Sequence, residues 1–95
     1  MLHLSVESDE ALREAMRDRE ITTKAKALIG YAVIMGDGYP ISNSGIMEDM
    51  NDGEKSIRNA VKSLESAGYL KRTQDLGTGS FTWDWHLSIP KEKRQ

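Results

Sequence analysis

In the second half of this chain the spacing of apolar residues switches from the helical period of about 3.6 to a period of two, so a helix must run straight into a β-hairpin. Ile57, Ala60, Val61 and Leu64 fall on one side of that helix. Gly68 stands just past Ser66-Ala67, where a left-handed helix stop belongs. Tyr69-Leu70 opens a strand that runs to about Gln74, and Asp75-Leu76-Gly77-Thr78-Gly79 forms a turn. After it Phe81, Trp83, Trp85, Leu87 and Ile89 alternate with Thr82, Asp84, His86 and Ser88, the pattern of a half-buried strand, and Pro90 ends it. The alternation predicts that Trp83 and Trp85 both face the core. Asp84 and His86 then sit as neighbours on the solvent side.

Three shorter helices are predicted upstream. Ser8 is an N-cap, with Asp9 and Glu10 in the first turn, where the helix dipole favours negative charge. Leu12, Ala15 and Met16 recur at helical spacing, giving a short amphipathic helix to about Arg19. Its thin apolar stripe suits packing on the edge of the domain or on a partner. Thr22 or Thr23 caps a second helix, in which Ala25, Leu28, Ile29, Ala32 and Val33 make a wide apolar face. Lys24 and Lys26 stand in its first turn, against the dipole. Gly36, Asp37, Gly38 and Pro40 stop it, and Ile41 reads as a one-residue strand contact. Ser42 caps a third helix carrying Ile46, Met47 and Met50, and Asn51-Asp52-Gly53 is a tight turn. His3 falls in a terminus expected to fray.

The stretch SIRNAVKSLESAGYLKR, Ser56 to Arg72, resembles the recognition helix and first wing strand of bacterial winged helix-turn-helix proteins. There a basic amphipathic helix ends in glycine, an aromatic, leucine and a basic residue. Further back, TTKAKALIGYAVIMGDGYPIS, Thr22 to Ser42, resembles the first helix and turn of the subgroup found in plasmid and phage replication-initiation proteins. The similarity covers roughly Thr22 to Ile89. It implies an α+β fold, a winged helix-turn-helix with a three-helix core and a C-terminal β-hairpin wing, here with an extra N-terminal helix. On this reading residues 1–20 are a packing or dimerisation arm, 21–90 the winged helix-turn-helix domain and 91–95 a charged tail. The chain departs from the pattern in one respect: Glu48, Asp49, Asp52 and Glu54 crowd the turn before the recognition helix, where such proteins often approach phosphate.

The formal net charge of −2 does not by itself favour a polyanionic partner. Its distribution is one-sided. From Leu2 to Glu20, Arg13, Arg17 and Arg19 face six acidic residues, whereas from Glu54 to Gln74, Lys55, Arg58, Lys62, Lys71 and Arg72 face only Glu54 and Glu65. Lys91, Lys93 and Arg94 add to the basic half against Glu92. With Ile57 and Leu64 marking the core direction, the opposite arc of the recognition helix holds Lys55, Arg58, Asn59, Lys62, Ser63 and Ser66. Arginine pairs bidentately with guanine, asparagine with adenine, and lysine and serine reach phosphate. A solvated helix face uses the same residue types. The expected DNA-binding set is therefore Lys55, Ser56, Arg58, Asn59 and Lys62 on the helix, with Lys71 and Arg72 on the hairpin.

These residues point to double-stranded DNA as partner, and to a small transcriptional regulator or a replication or plasmid-maintenance accessory. The competing reading is a winged helix used as a protein-interaction module without direct DNA binding. It would contact a second copy or another protein through the Leu12–Met16 helix and an open strand edge, and the net acidity favours it. No enzyme is expected. Asp84 and His86 have no nucleophile in register, and the Gly77-Thr78-Gly79 tip lacks the following lysine and helix of a nucleotide loop. With no cysteine and only two distant histidines, neither a disulfide nor a metal site is expected, and no cofactor. There is no apolar run long enough to span a bilayer and no export signal at Met1 to Val6, so a cytoplasmic location is the default expectation.

Overall fold

Residues 1–75 and 82–90 are described by a computed structural model; the expected turn tip at Gly77-Thr78-Gly79, Phe81 and the charged tail lie outside them. Strand β1 (Leu2–Val6) leads into α1 (Asp9–Met16), α2 (Thr23–Met35), α3 (Asn43–Met50) and α4 (Glu54–Ser66). The hairpin strands β2 (Leu70–Asp75) and β3 (Thr82–Ile89) follow. Among the described residues the fold is α+β, with four helices and a three-stranded mixed sheet, compatible with the winged-helix expectation.

The helix starts follow from local hydrogen bonding. The hydroxyls of Ser8, Thr22 and Ser42 accept the N–H groups of Ala11, Ala25 and Gly45 at 3.0, 3.1 and 3.1 Å. Each satisfies a donor that the first turn leaves open. Helix α4 has no side-chain cap; it begins at Gly53 with Glu54 in its first turn. Its end is a Schellman motif: the Tyr69 N–H bonds to the Leu64 carbonyl at 3.0 Å and the Gly68 N–H to that of Glu65 at 3.2 Å. Gly68 has φ 87°, a left-handed conformation in which any Cβ is strained. Asn51, at φ 51°, ends α3 in the same region.

The sheet order is β1-β3-β2, with β3 antiparallel to β2 and parallel to β1. This corrects the expectation of a frayed terminus. Leu2, Leu4 and Val6 alternate with polar residues and lie opposite Trp85, Leu87 and Ile89. Five residues of alternation are too short to read as a strand without knowing the partner. Ile41 lies in no strand but is buried, and the chain before it serves β1: the Leu2 N–H bonds to the Tyr39 carbonyl at 2.9 Å, the Gly38 N–H to the Leu2 carbonyl at 2.7 Å, and the Leu4 N–H to Asp37 Oδ1 at 2.9 Å.

The core lies between the sheet and the helices. Leu28 and Ile29 of α2, Ile46 of α3, Ile57, Val61 and Leu64 of α4 and Leu87 and Ile89 of β3 are buried together. Ala11 and Ala15 let α1 approach closely, and Leu12 and Met16 pack half-buried against the same core. Helix α1 stops at Met16, short of the expected Arg19, because Asp18 turns inward. Asp18 is the one buried charged residue among those described; its carboxylate accepts the Tyr69 hydroxyl at 2.6 Å and the Glu20 N–H at 2.9 Å. Among the described residues no helix is long and apolar enough to cross a membrane.

The Tyr69–Asp18 bond ties the turn after α1 to the start of the hairpin. Removing one donor to a buried carboxylate costs roughly 1–3 kcal/mol. Tyr69→Phe is therefore expected to lower the urea midpoint with an unchanged m-value. A midpoint equal to that of the parent would mean the bond contributes nothing.

Candidate functional site

Helix α4 turns its apolar stripe to the core and leaves Lys55, Arg58, Asn59, Lys62 and Ser66 exposed. Lys55, Asn59 and Lys62 make no side-chain hydrogen bond or ion pair among the described residues. Arg58 donates to Glu54 Oε1 at 2.6 Å, one turn back, with both side chains more than half exposed. An ion pair in that setting is worth at most about 1 kcal/mol and exchanges readily for another anion. Ser63 departs from the expected arc: it is half-buried, and its hydroxyl accepts the Thr22 N–H at 3.2 Å, joining α4 to the cap of α2.

The other expected site residues are placed differently. The Ser56 hydroxyl points back to Asp52 Oδ2 at 3.2 Å. Lys71 and Arg72 are consecutive on β2, so they project to opposite faces of the sheet. Lys71 is exposed in the row of His86. Arg72 is half-buried on the inner face, where it donates twice to Glu65, at 3.2 and 3.3 Å, and lies 5.0 Å over the Trp83 ring. Of the seven residues, Lys55, Arg58, Asn59 and Lys62 form one continuous surface.

The acidic turn before α4 is largely engaged within the fold. Asp52 pairs with Lys24 of α2, receives Ser56, and accepts the Gly53 N–H at 2.9 Å. The position of Lys24, unfavourable to the dipole of its own helix, is thus explained by a partner in the turn before α4. Asp49 accepts the Tyr31 hydroxyl at 2.8 Å. Burial, followed by hydrogen bonds with Tyr39 and Asp49, raises the Tyr31 phenol well above its ordinary range, so it stays a donor. With Glu54 paired to Arg58, Glu48 is left as the exposed acid without a side-chain partner among the described residues.

Two features of the sheet differ from what alternation alone implies. Trp85 is buried, but Trp83 is 44% exposed, which corrects the assignment of both rings to the core. The inward positions Ile89, Leu87 and Trp85 lie under the helices, while Trp83, nearest the hairpin tip, extends past them. Beside it is a cleft of 330 Å³ whose walls include Arg72, Trp83, Trp85 and the segment entering α3. On the outer face, parallel pairing brings His3 onto His86, with rings stacked at 4.6 Å. Asp84 lies 3.8 Å from His3 and Thr73 lies 3.2 Å from His86. No set of three metal-ligating side chains gathers among the described residues.

No family model, curated protein or solved structure matches this chain.

The two indoles should report separately. Trp83→Phe should leave only the blue-shifted emission of Trp85, and acrylamide should quench the parent far more than this variant. Trp85→Ala should cost ~3–5 kcal/mol as a core truncation, and Trp83→Ala much less. Equal quenching of parent and variant would place Trp83 in the core after all.

Proposed function

We propose that the protein is a winged helix-turn-helix domain that binds double-stranded DNA, with α3 and α4 as the helix-turn-helix and β2–β3 as the wing. The observation that carries the reading is the polar face of α4. Lys55, Arg58, Asn59 and Lys62 line one side of a rigid helix whose other side is fixed by Ile57, Val61 and Leu64. A helix so held presents a base-reading arginine and asparagine together with two phosphate-reaching lysines. The acidic turn is not an obstacle of the size its sequence implies, because Lys24, Tyr31 and Ser56 already engage its carboxylates. A role in transcription, or in replication or plasmid maintenance, fits a domain of this size and resemblance.

The protein-contact reading has one observation on its side. Ile34 is 82% exposed and Met35 38% exposed at the end of α2. A partner on that patch is compatible with DNA on α4.

Salt titration tests the proposal. If Lys55, Arg58, Lys62 and Lys71 neutralise about four phosphates, affinity for duplex should fall ~150-fold between about 50 and 200 mM salt. Arg58→Ala should cost ~1–3 kcal/mol on a preferred sequence and much less on random duplex, narrowing the ratio between them. Lys71→Ala should weaken both alike and lower the salt slope by about one unit. Absence of binding at the low-salt end would reject DNA and leave the protein-contact reading. A ratio untouched by Arg58→Ala would mean that α4 does not read bases.

A further inference from the structure

Trp83 is at odds with its strand. The wing strands run beyond the helical layer, so the inward face of β3 ends in an aromatic ring that no helix covers. What closes over it is the chain entering α3, and the space between is the 330 Å³ cleft, lined among others by Pro40, Ile41, Asn43, Arg72, Trp83 and Trp85. That volume is at the small end of ligand-binding pockets. It suits one planar ring system and is too small for a base pair.

The lining chemistry narrows the occupant. Two indoles and the Ile41 and Pro40 side chains supply flat apolar wall, and among the described lining residues Arg72 is the ionised side chain, with the Met1 ammonium, bonded to the Trp83 carbonyl at 3.1 Å, as a second cation. Arg72 is pre-positioned, because Glu65 accepts two hydrogen bonds from its guanidinium, which lies 5.0 Å over the Trp83 ring. Asn43, exposed at the first position of α3, brings an amide able both to donate and to accept. Ser42 contributes less, since its hydroxyl already caps Gly45. A stacking surface, a fixed cation and a two-way hydrogen-bonding amide together match a nucleobase carried on a phosphate backbone.

We propose that this cleft receives a single unpaired nucleotide of a DNA strand, its base against Trp83 and its phosphate toward Arg72. The inference rests on the DNA-binding reading but uses a different surface from α4. A duplex with an extruded base or a melted edge would engage both surfaces at once, which makes locally opened DNA the substrate class. A fully paired duplex would engage α4 and Lys71 and leave the cleft empty.

The test uses the whole chain and three fluorescently labelled or free probes: a paired duplex, the same duplex with a short unpaired thymidine loop in one strand, and thymidine monophosphate. The looped duplex should bind about tenfold more tightly than the paired one, as loss or gain of one base stack implies, and should quench the exposed tryptophan. Trp83→Ala should abolish that preference and leave affinity for paired duplex unchanged, while Trp83→Phe should keep part of it. Because Trp83 is half out of the core, thermal unfolding of both variants should stay near that of the parent. Equal binding of looped and paired duplex, or a preference that survives Trp83→Ala, overturns the cleft proposal and leaves the α4 reading standing. Binding of no duplex at all overturns both. Quenching by thymidine monophosphate at the same concentration as by looped duplex would identify a free nucleotide as the ligand and reject the strand.

Discussion

Strand β3 is hydrogen-bonded along both edges and buried on one face, and the remaining architecture depends on it. Antiparallel pairing with β2 builds the hairpin, and parallel pairing with β1 brings the first residues of the chain beneath the helices. The inward residues Trp85, Leu87 and Ile89 are the buried centre of a sheet on which α1 meets β1 and β3, α2 meets β1 and α4 meets β2. A one-residue slip of β3 would turn all three to solvent and bring Asp84, His86 and Ser88 inward. The Schellman turn at Gly68 and the buried Tyr69–Asp18 bond fix the other strand of the hairpin at its start. The direction of α4 and the register of the hairpin are therefore set together.

Much of this was legible from residue spacing. The caps at Ser8 and Ser42, Thr22 as one of two candidate caps, the stop at Gly68 and the inward positions of Trp85, Leu87 and Ile89 follow from short-range rules, and the structure has them there. What was not legible depends on partners distant in the chain. LHLSV is too short to announce a strand until β3 is known to lie beside it. Asp18 looked like one more charge on a solvated helix, and only the Tyr69 hydroxyl explains its burial. Trp83 and Trp85 are equivalent by alternation, yet they differ because the helical layer ends between them. No periodicity in a single strand records where the opposing layer stops.

The same holds for the polar surface. Spacing on α4 identified Lys55, Arg58, Asn59 and Lys62 as one outward face, since a helix with a known core side has a known polar side. It could not show that Ser56 and Ser63 serve the fold, or that adjacent Lys71 and Arg72 part to opposite faces of a strand. The acidic turn is the clearest case. Read as sequence it repels a polyanion; in the fold, Lys24 from α2 and Tyr31 engage Asp52 and Asp49, and the basic face beyond is less opposed than a net charge of −2 suggests. Local charge, after internal pairing, decides what such a surface can meet.

The outward face of α4 is the surface proposed to meet DNA. Backbone amide NMR on the isotope-labelled chain, titrated with a short duplex at low salt, tests it most directly. The largest shift changes are expected at Lys55, Arg58, Asn59 and Lys62, smaller ones along β2, and almost none in α1 or at Ile34 and Met35. Changes confined to the α2 end or α1, or no changes on saturation with duplex, would contradict it.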